Sequence, residues 1–279
     1  MVSQTHPTVG PDAAEFLDAR VVTIRGRGAP PLVFLHGFGA DQGVWRNVAP
    51  AFAGRREVVT YDHMDSGRSL CAGQDHRRYR TLSGYAEDLE TLLDLLDLRS
   101  AIIVGHSVAG MIALLAARRT TRISALVMVA SSPRYLNAPG YVGGFDRAEV
   151  DDLLAMMELD LQGWSQAMAR AAVQGAERPD LVEELAYGFS HANPELLRNF
   201  ARATFLSDHR ALLAECRTPT LVLQPQEDTI VPWEAAQFLA STLPSATLRR
   251  MSARGHYPQL SAAPELVQEI SAFIDQAVA

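Results

Sequence analysis

Ser107, Asp228 and His256 are the residues of this chain whose types and settings fit nucleophilic catalysis. Ser107 stands in Gly105-His106-Ser107-Val108-Ala109, between an apolar run that starts at Ala101 and a helical pattern. Small neighbours let a backbone make the strained strand-to-helix turn that a bulky side chain would block. The hydroxyl then stands clear of the sheet, at the positive end of the helix that follows. A serine hydroxyl is a weak nucleophile until a base takes its proton and a third group orients that base.

Of the eight histidines, His6, His63, His76, His191 and His209 lie in polar stretches and read as surface. His36 and His106 belong to turns and are expected to hydrogen-bond backbone. His256 follows an apolar run and the pair Arg254-Gly255, on a loop that can return to the strand tips, and it is the expected base. The orienting acid should also end a strand. Leu221-Val222-Leu223-Gln224-Pro225-Gln226-Glu227-Asp228 runs into two carboxylates, and Asp228, just ahead of a helix opened by Pro232, is favoured over a solvent-facing Glu227. Negative charge on a tetrahedral intermediate calls for two N–H donors, expected from Phe38 in His36-Gly37-Phe38-Gly39 and from Val108. The chain order serine, acid, histidine separates this arrangement from other serine-based catalytic folds.

These residues need strands to carry them. Short strands are expected over 19–24, 32–35, 57–61, from 101, and over 125–130, 220–224 and 246–251. Helical spacing follows Asp41 (Val44, Trp45, Val48, Ala49, Phe52), runs from 82 to 98 and continues from the serine turn to about 119. Residues 1–19 read as a loose lead-in. Continuously apolar strands alternating with helices require a mostly parallel sheet covered on both faces, so the fold class is α/β.

Between Pro133 and Ser207 the alternation stops and only helical signals remain. Asp146 with Glu149 forms a capping box, and Asn193-Pro194 an N-cap followed by proline. The expected organisation is a core of residues 1–132 and 208–279 with a four-helix lid over 133–207. Tyr135, Trp164, Met168 and Phe205 in and beside that lid line a substrate pocket or pack it onto the core; the residues alone leave both open.

The composition, 279 residues with 48% hydrophobic and 20% charged, is that of a globular chain, and a net charge of −7 without a Lys/Arg stripe argues against nucleic acid. No apolar run approaches the roughly 20 residues of a membrane span. Two cysteines, Cys71 and Cys216, and a start without a signal-peptide pattern lead us to expect a disulfide-free cytoplasmic protein. No His/Cys/Asp cluster has metal-ligand spacing, so neither metal nor cofactor is expected.

The chain resembles the α/β-hydrolases, and among them the group of RsbQ-like bacterial stress-signalling hydrolases and plant strigolactone and karrikin receptors. The likeness is carried by residues 37–42, Gly105-His106-Ser107-Val108, Ser132-Pro133-Arg134-Tyr135-Leu136-Asn137, Gly143-Gly144-Phe145, Phe205-Leu206-Ser207-Asp208-His209-Arg210 and Gly255-His256. It implies a triad at Ser107, Asp228 and His256, oxyanion donors at Phe38 and Val108, and pocket aromatics at Tyr135, Trp164 and Phe205. It further implies a small apolar ester or lactone as substrate, or a slow ligand-sensing protein whose lid binds a signalling partner. Asp65 departs from the pattern, standing in a turn where related sequences usually carry glycine.

Overall fold

Seven strands form one sheet in the computed structural model, which describes residues 10–66, 69, 76–173 and 178–277. The strands are β1 (Thr23–Arg25), β2 (Leu32–Leu35), β3 (Val58–Tyr61), β4 (Ala101–His106), β5 (Ile123–Val129), β6 (Thr220–Glu227) and β7 (Ala246–Arg254). Their order is β1-β3-β2-β4-β5-β6-β7, parallel throughout except for β1 against β3. The middle strands β2, β3 and β4 are buried at every position, as a sheet covered on both faces demands.

The helices are α1 (Pro11–Ala19), α2 (Leu82–Leu95), α3 (Ala109–Ala117), α4 (Arg147–Leu159), α5 (Leu161–Val173), α6 (Pro179–His191), α7 (Pro194–Phe205), α8 (Arg210–Leu213), α9 (Trp233–Thr242), α10 (Pro258–Ser261) and α11 (Ala263–Ala277). Five of them, α4 to α8, fall between β5 and β6, and α4 to α7 make up the helical segment that ends at Phe205. The Asp146/Glu149 capping box opens α4, and Asn193 caps α7 by accepting from the N–H groups of Glu195 and Leu196. Within this segment α5 packs against α6, and α4 against α5 and α7. No helix among the described residues is long and apolar enough to cross a membrane.

Five local expectations are corrected. The end of the supposed loose lead-in is helix α1, and the first strand is shorter, Thr23–Arg25. The helical spacing after Asp41 forms two 3-10 turns, Gln42–Trp45 and Ala49–Phe52. Pro50 has no N–H to continue an α-helical ladder there, and its ring would meet the carbonyl four residues back. Helix α2 stops at Leu95, because Asp97 and Ser100 take left-handed backbone angles of +45° and +52°. His63, expected at the surface, is buried against His36. His6 and Cys71 lie outside the described residues.

Candidate active site

Three strands deliver a residue from just beyond their carboxyl ends to one place. Ser107 comes directly after β4, Asp228 after β6, and His256 two residues beyond β7, at the carboxyl ends where parallel sheets gather functional groups. Ser107 has φ +57°, a left-handed angle that costs a non-glycine residue about 1–2 kcal/mol. Its surroundings leave no room for larger neighbours. A Cβ on Gly105 would lie 2.7 Å from the Ala109 backbone, and one on Gly110 would lie 2.4 Å from Ser131 Oγ. This is the tight turn that small residues around Ser107 predict.

His256 Nε2 lies 2.9 Å from Ser107 Oγ. On the other side of the ring, Nδ1 faces both carboxylate oxygens of Asp228, at 2.9 and 3.1 Å. Asp228 is fixed in turn: Oδ1 accepts from the N–H groups of Ile230 and Val231, and Oδ2 from the Gln224 amide. With the carboxylate on Nδ1, that nitrogen carries the ring proton and Nε2 is left as the acceptor for the serine. Glu227 is exposed, as expected of it.

The loop that carries His256 is tied to the helical segment. The His256 N–H donates to the Ala172 carbonyl in the last turn of α5 (2.8 Å), and Thr229 Oγ1 donates to the neighbouring Ala171 carbonyl (2.9 Å). Gly255 makes this approach possible at φ +85°, since a Cβ there would sit 2.7 Å from the Val173 carbonyl oxygen. His106 donates to the His256 carbonyl from below (2.7 Å), and burial holds its ring neutral with a pKa well below the ordinary histidine value.

The turn after β2 runs past the serine, with a Cβ on Gly37 falling 3.2 Å from Ser107 Cβ. Val108 is the N-cap of α3. Among the described residues, neither the Phe38 nor the Val108 N–H is bound by a backbone carbonyl. Two donors beside the nucleophile suit an oxyanion.

Above Ser107 lies a narrow, largely apolar cavity. Tyr135, Met168 and Phe205 line it, together with the Phe38 ring. Trp164 does not: it packs edge-on to Phe38 and Phe189 and lines a separate outer groove between α4 and α5. Met168 and Ile230 border both spaces. Sequence reasoning missed Phe189, Ile230 and Tyr257 as lining residues. Tyr257 adjoins the histidine, whereas Phe189 occupies an ordinary apolar position of α6, with no local signal. It also missed the contact of the Tyr135 hydroxyl with Ser107 Oγ at 3.0 Å.

Residues 30–263 match the family described by the alpha/beta hydrolase fold. The chain is 36% identical over 254 residues to strigolactone esterase D14 of Arabidopsis thaliana, covering 90% of this chain and 95% of that one. It is 34% identical to karrikin insensitive 2 receptor CA of Petunia hybrida, covering 90% and 93%. Among solved structures, a hydrolase from Oleispira antarctica superposes with a TM-score of 0.91 at 33% identity over 94% of this chain and 97% of that one.

Proposed function

The chain belongs to the α/β-hydrolase family, and from that premise we propose that it hydrolyses an ester or lactone of a small, mostly apolar molecule through an acyl-Ser107 intermediate. The observation that carries this reading is the unbroken line Asp228, His256, Ser107 at the floor of an apolar cavity. His256 takes the serine proton as Oγ attacks the carbonyl carbon, the Phe38 and Val108 N–H groups hold the oxyanion, and water then releases the acid. Residues 133–207 act as the lid that keeps bulk water from the intermediate. The aromatic lining around Ser107 favours an apolar acyl group over a charged one.

The test is hydrolysis of a short p-nitrophenyl ester. Ser107→Ala loses on the order of 10⁴-fold or more of the activity with the fold intact, and a phosphonate probe labels Ser107 in the unaltered chain. A Ser107→Ala protein that keeps most of its activity, or an adduct on another residue, overturns the assignment.

A second reading is a ligand-sensing protein whose helical segment docks a signalling partner. It is supported by relatives that are named receptors and by the bonds that join α5 to the loops of Asp228 and His256. Turnover well below the roughly 1 s⁻¹ at the low end for enzymes, with ligand-dependent capture of a partner, favours this reading. Fast turnover favours the metabolic one.

A further inference from the structure

Tyr135 does more at this site than line it. The segment before α4 holds it rigidly: the Phe145 N–H donates to its carbonyl (3.1 Å), and its ring packs edge-on against Phe205 at 5.5 Å. The side chain is buried, and its hydroxyl reaches Ser107 Oγ at 3.0 Å. Ser107 has one proton, which points at His256 Nε2, the nitrogen left as acceptor by the Asp228 contact at Nδ1. Ser107 Oγ therefore has no proton for Tyr135, and the bond runs the other way: the phenol donates to the serine oxygen. Burial raises the Tyr135 pKa above its ordinary value, so the phenol keeps that proton at working pH.

We propose that Tyr135 is a catalytic residue of the hydrolysis, a hydrogen-bond donor to Ser107 Oγ that speeds release of the acyl group rather than its attachment. This rests on the acyl-Ser107 reading above. In acylation, Oγ attacks the carbonyl carbon, its proton passes to His256 Nε2, the C–O bond to the leaving alcohol breaks, and the proton moves from Nε2 to that alcohol. The phenol bonds Oγ in the free protein and in the transition state about equally, so it changes this step little. In the acyl-serine, Oγ is an ester oxygen, a poor acceptor, and the bond is weakened. In deacylation, water attacks the acyl carbon and loses a proton to Nε2; the C–Oγ bond then breaks and Oγ takes the proton back from Nε2. As that bond breaks, charge gathers on Oγ, and the phenol regains its acceptor at the moment of reaction. The contribution is selective for the second half of the cycle because the intermediate, and not the free protein, lacks the bond.

Tyr135→Phe tests this, since it removes one oxygen and keeps the packed ring. Stopped-flow release of p-nitrophenol from a short p-nitrophenyl ester separates the burst, which reports acylation, from the steady phase, which reports deacylation. Mass spectrometry follows acyl-Ser107 after excess ester is removed. The expected result is deacylation slowed about tenfold, as loss of one good hydrogen bond implies, with burst rate and kcat/KM held within about twofold. KM then falls together with kcat, and acyl-Ser107 accumulates. A side chain that only shaped the cavity would instead lower kcat/KM and leave the decay of the acyl group unchanged. Equal slowing of both phases, or an unchanged decay, overturns the proposal. An acyl group from the ester found on a residue other than Ser107, in either protein, overturns the acyl-Ser107 reading itself, and the role of Tyr135 with it.

Discussion

At the scale of single residues, the members of the line Asp228, His256, Ser107 were each legible because each ends a strand in a recognisable local pattern. Asp65 was legible only as an oddity. It is fully buried, and its carbonyl accepts the Asn193 N–H at the head of α7. Burial pushes its carboxyl up to about 8, against the pull of its own N–H and that of Gly39. The sign follows directly. Between the ordinary value of 3.8 and about 8 the folded chain holds a proton that the unfolded chain has released, so stability falls as pH rises across that window and levels above it. Asp65→Asn keeps the shape and has no proton to lose. Urea denaturation from pH 5 to 9 should show the variant gaining on the unaltered chain as pH rises, by a few kcal/mol at most. A gap between the two that stays constant across that range would show that Asp65 is ionised in the fold throughout. The Tyr135 contact with Ser107 left no trace in the sequence: the two residues are 28 positions apart, and the hydroxyl reaches the serine only after β4 and β5 have paired.

At the scale of elements, the central strands were readable because they are short, mostly apolar runs buried at every position, and α4 and α7 because their caps are written within a few residues. The 3-10 turns at 42–52 were not, since Trp45, Val48 and Phe52 have helical spacing and only Pro50 signals the break. Nor was the junction between α5 and the histidine loop, whose bonds are to backbone carbonyls and so need no particular side chain on the helix. The residue that exposes this junction is Gly255. Gly255→Ala adds a methyl 2.7 Å from the Val173 carbonyl oxygen at a backbone angle of +85°. Strain of this kind costs on the order of 1–3 kcal/mol. The larger effect should fall on catalysis, because the loop must move off α5 and carry His256 with it, and a displacement near 1 Å can cost about 10²-fold. Melting temperature and kcat/KM measured on the same preparation check this. A protein that melts earlier yet turns over normally would show that α5 does not position the base.

At the scale of the whole molecule, the α/β class followed from alternation, but the strand order did not. Nothing in the local composition of β1 says that it pairs antiparallel with β3 at the sheet edge, or that the chain before it is anchored. The anchor is a buried charge network. Arg20, just after α1, is 1% exposed; its Nε donates to Asp88 in α2 (3.0 Å) and its Nη2 to the Tyr79 hydroxyl (2.9 Å). Tyr79 donates to the same Asp88 oxygen, and Arg78 pairs with the other at 3.1 Å. Residues 68 positions apart cannot announce such a pairing, which is why the segment before Arg20 reads as loose in sequence. Removing one partner of a buried pair is far more damaging than removing both, because an uncompensated charge stays in the core. Asp88→Ala should therefore cost about 3–5 kcal/mol by denaturant titration. The double variant Arg20→Met with Asp88→Leu should recover much of that loss, a coupling that the single changes would not predict by addition. Asp88→Ala costing less than about 1 kcal/mol, the range of solvated surface pairs, would mean that water reaches Arg20 and that α1 is held to the core by its apolar face alone.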